Sequence, residues 1–135
     1  MSSSFPQEMM TALQQSGQFD DCRCVLADSA EALPFPVKRP IICFGLEKAD
    51  RMDYFLGYDE VMLGTEKLRV SLLCEQQLGG AYCEQLAQQV CQWLLQADTA
   101  KQITSVSVEK CMYDKVNFAY KVIMRFTMRE HNCLQ

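Results

Sequence analysis

The segment Ile103–Glu130, ITSVSVEKCMYDKVNFAYKVIMRFTMRE, decides the fold. In its second half, large apolar residues occupy every second position over about a dozen residues. A period of two residues is typical of a β-strand with one buried face. The segment therefore predicts a long β-hairpin, with arms at Ile103–Met112 and Val116–Glu130 and a turn at Tyr113–Lys115. The predicted inward set is Phe118, Tyr120, Val122, Met124, Phe126 and Met128, and the outward set is Ala119, Lys121, Ile123, Arg125, Thr127 and Arg129.

Two further elements have a clear apolar period. Glu66–Glu75 predicts a strand, since every second residue from Leu68 to Cys74 is apolar. Ala81–Gln96 predicts a helix that follows the turn at Gly79-Gly80, because its apolar residues recur at the helical spacing. The helical stripe is Cys83, Leu86, Ala87, Val90, Cys91 and Leu94.

The first half of the chain gives weaker signals. Residues 1–17 predict an N-terminal helix that is capped by Ser4 and ends near Gly17. Short strands are expected at Asp21–Ala27 and Ile41–Phe44. Residues 46–64 predict a polar loop with aromatic anchors, because acidic and basic residues are interspersed with aromatic ones.

These elements predict an α+β fold in a single domain, residues 1–135. A single, mostly antiparallel or mixed β-sheet, with the two main helices on one face and the C-terminal hairpin closing it, satisfies the element order. The chain has no internal repeats, no low-complexity segment and no linker long enough to divide it.

Composition excludes some classes of function. The net charge of −4 and the pI near 5.0 argue against a protein whose main task is to grip nucleic acid. No apolar run approaches the roughly 20 residues that span a bilayer. The first residues lack the basic and apolar segments of a signal peptide, so we expect the protein in the cytoplasm of the producing cell.

The eight cysteines are best explained as buried free thiols, since most fall on the apolar phase of a predicted element. A metal site and disulfide or intermolecular links remain alternatives. There is no Cys-x-x-Cys, and the only histidine, His131, lies near the C-terminus. No cysteine has a recognisable base and orienting group, so the sequence predicts neither an enzyme nor a cofactor or metal site.

Three features resemble the tail-terminator, or head-to-tail joining, proteins of long-tailed bacteriophages and prophage particles (the minor tail protein U-like family). They are the Pro-flanked strand in 38–45, the strand–Gly–helix unit in Leu68–Leu95, and the closing hairpin with arms at Val106–Asp114 and Phe118–Arg129. The resemblance extends from Lys38 to Glu130, which is about two thirds of the chain.

The resemblance implies a structural protein that forms a hexameric ring on the head-proximal end of the tail tube. Such a ring ends tube polymerisation and joins the tail to the head. The implied partners are further copies of the chain, the tail-tube protein and a head-completion or connector protein, without sequence-specific nucleic acid or a membrane. The implied location is the virion tail or prophage particle, after synthesis in the bacterial host cytoplasm. An acidic lumen would let DNA pass without sticking, since like charges repel.

Two groups of residues are candidates for contacts with a neighbouring subunit or partner. One is the outward face of the last strand, with Lys121, Arg125 and Arg129; the other is the polar loop, with Tyr54, Tyr58 and Asp59. The strand face is alternatively ordinary solvated surface. The competing functions are a small acidic binding module, such as a dimeric secretion-type chaperone, and another neck or tail-completion protein.

Overall fold

The computed structural model describes residues 5–27, 37–48, 66–97 and 101–130. Within these ranges, two α-helices, α1 (Phe5–Ser16) and α2 (Gly79–Gln96), accompany six strands. A short 3-10 turn, Gln76–Leu78, leads directly into α2. The strands are β1 (Arg23–Leu26), β2 (Ile41–Lys48), β3 (Glu66–Glu75), β4 (Lys101–Val108), β5 (Met112–Asp114) and β6 (Ala119–Glu130).

All six strands belong to one mixed sheet. The order is β1-β2-β3-β6-β4, and β5 pairs with β6 in continuation of β4. β1 and β2 are parallel, whereas the other pairs are antiparallel. The predicted α+β class with a mixed sheet is therefore confirmed.

Both helices pack on the same face of the sheet and form the main core with it. The alternation predicted for β3 is confirmed, because Leu68, Val70, Leu72 and Cys74 are all fully buried. Burial of one such side chain contributes about 1.5–3 kcal/mol. The same core contains the inward residues of β6 and of the helices: Phe5, Met9, Leu13, Cys83, Leu86, Ala87, Val90, Leu94, Val122, Met124, Phe126 and Met128.

The predicted hairpin is present, but its bounds were wrong. The first arm is divided into β4 and β5, with one extra residue at Thr104 and another between Val108 and Met112 relative to β6. Such bulges twist an edge arm and interrupt its pairing. The turn occupies residues 115–118 rather than Tyr113–Lys115.

Phe118 was placed on the inner face, and this prediction was wrong. Its side chain is 57% exposed, and its φ of 52° lies in the left-handed region. The reason is local, because hydrogen bonds to Asp114 hold residues 115–118 as a turn and β6 begins at Ala119.

The predicted polar loop at 46–64 also needs correction at its start, since residues 46–48 belong to β2. Pairing with β3 continues through Leu46↔Leu68 and Glu47↔Lys67. Gly45 does not end the strand. A Cβ at position 45 would lie 2.9 Å from Ala27 Cβ, so the glycine lets the segment after β1 approach β2 closely. Residues 49–64 lie outside the described residues.

The second face of the sheet, called the outer face below, is partly covered at one end. A small cluster of buried residues lies there: Val25, Val37, Ile41, Leu73 and Ala119. Ala119 thus lies on the predicted outward phase of β6 and is nevertheless fully buried. The rest of the outer face carries Glu47 of β2, Lys67 and Arg69 of β3, and Lys121 and Arg125 of β6.

Candidate interaction surface

The end of the hairpin, residues 115–118, is called the hairpin tip and is the most exposed apolar feature of the described chain. Val116 is 84% exposed and Phe118 is 57% exposed. Met112, at the start of β5, is 63% exposed. Single exposed apolar residues are ordinary, whereas exposed apolar residues that lie together are typical of an interaction site. Val116 and Phe118 lie together, since both line one depression.

Asp114 fixes the conformation of the hairpin tip. One carboxylate oxygen accepts hydrogen bonds from the backbone N–H of Val116 at 3.0 Å and of Asn117 at 3.2 Å. The other accepts one from Asn117 Nδ2 at 2.7 Å. Burial would raise the pKa of Asp114, but these hydrogen bonds, together with the charge of Lys121, outweigh it and lower that pKa. The tip is therefore a defined turn rather than a loose loop.

The two arms next to the tip are anchored to the start of α2. The rings of Tyr113 and Tyr120 meet edge to face, with centroids 5.2 Å apart. The Tyr113 hydroxyl donates a hydrogen bond to Gln76 Oε1 at 3.2 Å. A Cβ at Gly80 would lie 3.3 Å from the Tyr120 ring, so helix and hairpin approach closely. This anchoring fixes the direction in which the tip projects.

Two depressions flank the hairpin. A cavity of about 1080 Å³ separates Val116 and Phe118 from Val37, Lys38 and the β3–α2 connection. A second depression, of about 450 Å³, lies between α2 and the β4 edge. Its lining is Glu84, Ala87, Gln88, Cys91, Gln92, Val108, Glu109 and Val122, and it is called the edge groove below.

Arg125 has an intramolecular role on the outer face. Its Nε lies 3.0 Å from Glu47 Oε1 on β2, and its Nη1 forms an ion pair with Glu109 Oε2. The hydrogen bonds to Glu109 and Glu47 raise the pKa of Arg125 further. The Arg125 side chain is only 26% exposed. Through its two ion pairs it links β6 to β2 and to the residue that follows β4.

Arg69 lies in register with Arg125 on the adjacent strand β3. Its Nε is buried and has no hydrogen-bond partner in the described part of the chain. Lys121 and Ile123 border a further depression of about 480 Å³ near the hairpin arms. The outer face is therefore cationic overall among the described residues, although the net charge of the chain is negative.

The structure locates only part of the candidate set. Lys121 and Arg125 lie on the same face of β6, and both are half-buried. The Arg129 backbone pairs with Gln102 of β4. Tyr54, Tyr58 and Asp59 lie outside the described residues. The alternating pattern of the last strand did not indicate that Val116 and Phe118 are exposed, although Asp and Asn, here Asp114 and Asn117, are common turn residues.

The described cysteines are free thiols, namely Cys22, Cys24, Cys43, Cys74, Cys83, Cys91 and Cys111. Burial raises the pKa of Cys22, Cys24 and Cys111 to about 11. A hydrogen bond with Cys74, together with burial, raises the pKa of Cys83 strongly. Because the thiolate is the nucleophile, these groups are poor nucleophiles at neutral pH.

Among the described residues, no group of three or more His, Cys, Asp or Glu side chains is arranged to hold a metal ion. Within the same ranges, neither helix has the length and apolar character needed to cross a membrane. No protein-family model matches the chain, and a search of curated proteins finds no match.

Proposed function

We propose that this protein is a structural subunit that assembles with further copies of itself. The observation that carries this proposal is the hairpin tip. Val116 and Phe118 are exposed there on a turn that three hydrogen bonds to Asp114 hold in place. A bulky residue in the left-handed region costs free energy, and strain of this kind concentrates at functional sites.

The assembly that we propose is the ring that ends the tail tube of a long-tailed bacteriophage or a related prophage particle. The support for this finer proposal is the resemblance of segment 38–130, with which the observed α+β architecture is compatible. In this role, one side of the ring binds the tail-tube protein, and the other binds a head-completion or connector protein.

The distribution of charge is compatible with a ring whose lumen lets DNA pass without binding it. The two helices contain Glu8 and Glu84 but no lysine or arginine. We therefore place the helical layer, rather than the cationic outer face, toward the lumen, where like charges repel the DNA backbone. Retention of duplex DNA by the assembled ring at physiological salt would contradict this placement.

The function is tested by native mass spectrometry of the reduced protein from low to high micromolar concentration. A closed ring of six copies supports the tail-terminator role. A tight dimer that does not grow with concentration supports the dimeric chaperone-like module instead. A monomer at every concentration contradicts self-assembly.

The partner is tested by adding purified tail tubes of the host particle, with free tube subunits as the control. The proposal predicts that the protein binds the tube end at one ring per tube and stops further addition of subunits. Binding along the whole tube, or elongation at an unchanged rate, would contradict a terminating role.

A further inference from the structure

The hairpin tip of one molecule has a matching surface elsewhere on the same chain, the edge groove between α2 and β4. The groove has a volume of about 450 Å³, within the range of roughly 300–1,000 Å³ of pockets that enclose small ligands. Its floor is apolar, because Ala87 and Val122 are buried and Cys91 and Val108 line it. The groove therefore has the size and the surface for a pair of apolar side chains.

The tip and the rim of the groove have complementary charge. Lys115 is exposed beside Val116 on the tip, whereas Glu84 is exposed on the rim. The second acidic residue of the rim, Glu109, is already paired with Arg125. Glu84 is therefore the carboxylate that is available to a lysine arriving with the tip.

The tip cannot reach the groove of its own molecule. Ala119, the first residue after the tip, is paired with Glu75 of β3 on one side and Asp114 of β5 on the other. β6 then remains paired with β3 from Ala119 to Thr127, a stretch that includes Val122 in the groove floor. A hairpin tip that enters the groove must therefore come from a second molecule.

We propose that the edge groove receives the hairpin tip of a neighbouring copy, with Val116 and Phe118 on the apolar floor and Lys115 against Glu84. This inference rests on the proposed self-assembly and names the surfaces that perform it. The two surfaces lie on different parts of the chain, so each copy donates one tip and accepts another. Contacts of this head-to-tail type form a ring if the rotation closes.

A charge exchange tests the contact. Lys115→Glu and Glu84→Lys each place like charges at every contact, and each is expected to raise the dissociation constant of the assembly about tenfold or more. The double variant carries both changes in every copy, so it restores an opposite-charge pair at each contact and should recover wild-type association. Sedimentation equilibrium measures the constants, and circular dichroism checks that each variant is folded.

Matched controls separate the contact from net charge. Glu8→Lys and Lys67→Glu change the net charge by the same amounts at exposed positions outside the tip and groove, and they should leave association within about twofold of wild type. If the wild type assembles but the single variants have no effect, or the double variant is not rescued, the tip–groove contact is wrong while self-assembly stands. A wild type that stays monomeric overturns the proposed function itself.

Discussion

Arg125 reaches across β3 to Glu47 on β2, with Nε 3.0 Å from Oε1, although Arg69 lies in register beside it. Glu109, just after β4, forms a second ion pair with the same guanidinium. The residue that sequence reasoning assigned to an intermolecular contact therefore already has two intramolecular partners. A substitution of Arg125 would therefore affect folding as well as association, so a test of assembly needs residues outside this network, such as those of the hairpin tip.

Replacement of Arg125 should change stability before it changes assembly. Arg125→Met removes two partly exposed ion pairs and should lower the free energy of unfolding by about 1 kcal/mol. Arg125→Glu places a third carboxylate near Glu47 and Glu109 and should cost more. Both losses should shrink at high salt, because partly exposed charges are screened.

Urea unfolding at low and high salt measures these effects. Lys38→Met is the control, since Lys38 is exposed, lies before β2 and forms no ion pair with Glu47 or Glu109. An Arg125→Glu variant that unfolds at the wild-type midpoint in low salt would show that the ion pairs contribute nothing.

The left-handed backbone at Phe118 makes a second prediction. Glycine tolerates a φ of 52° and alanine does not, so Phe118→Gly should be more stable than Phe118→Ala by about 0.5–1 kcal/mol. At Lys115, where φ is not positive, the alanine variant should be more stable than the glycine variant, because glycine there only adds entropy to the unfolded chain. Thermal and urea unfolding of the four variants compare the two sites. An alanine variant at position 118 as stable as the glycine variant would rule out the strained backbone.

The Asp114 turn predicts a loss of stability in acid. Its pKa is lowered in the folded protein, so the carboxylate stabilises the fold above its unfolded pKa of about 3.9. This contribution is lost as pH falls through the folded pKa. Asp114→Ala should cost about 1 kcal/mol at pH 7, and the difference from wild type should vanish in strong acid. A difference that stays constant from pH 7 to pH 2 would mean that the ionised carboxylate is not responsible.

The buried thiols predict a loss of stability in alkali. The pKa of Cys22 and Cys24 rises from 9.0 to about 11 in the folded protein, so the unfolded chain loses these protons first as pH rises. Their stabilising contribution is present below pH 9 and is lost by about pH 11. The double variant Cys22→Ser, Cys24→Ser should lose less stability over this interval than wild type. Equal pH dependence of the two proteins would exclude these thiols as the cause.

The strongly periodic elements were predictable from sequence, because burial of one face requires apolar residues at regular intervals along the chain. Leu68 to Cys74 of β3 and Val122 to Met128 of β6 alternate as predicted. Phe118 continues that period in sequence but not in structure, since hydrogen bonds from the backbone of the tip to Asp114 override it. The signal for this turn in the sequence was Asp114 and Asn117, because Asp and Asn are common turn residues.

Other features depend on contacts distant in sequence. β2 continues through Gly45 because it pairs with β3, and nothing local in residues 46–48 marks that pairing. The parallel alignment of β1 with β2 has the same origin. The edge groove joins side chains of α2, β4 and β6, so no single stretch of sequence indicates it.

Sedimentation velocity of a Val116→Ser, Phe118→Asn variant beside wild type tests the central claim most directly. Asparagine suits the left-handed position, so the variant should remain folded. Tyr82→Gln is the control, because it removes an exposed aromatic residue outside the tip and groove. We predict that wild type and Tyr82→Gln sediment as the same closed oligomer, while the tip variant sediments as a monomer with native circular dichroism. A tip variant that assembles as wild type does would contradict the claim that this hairpin builds the assembly.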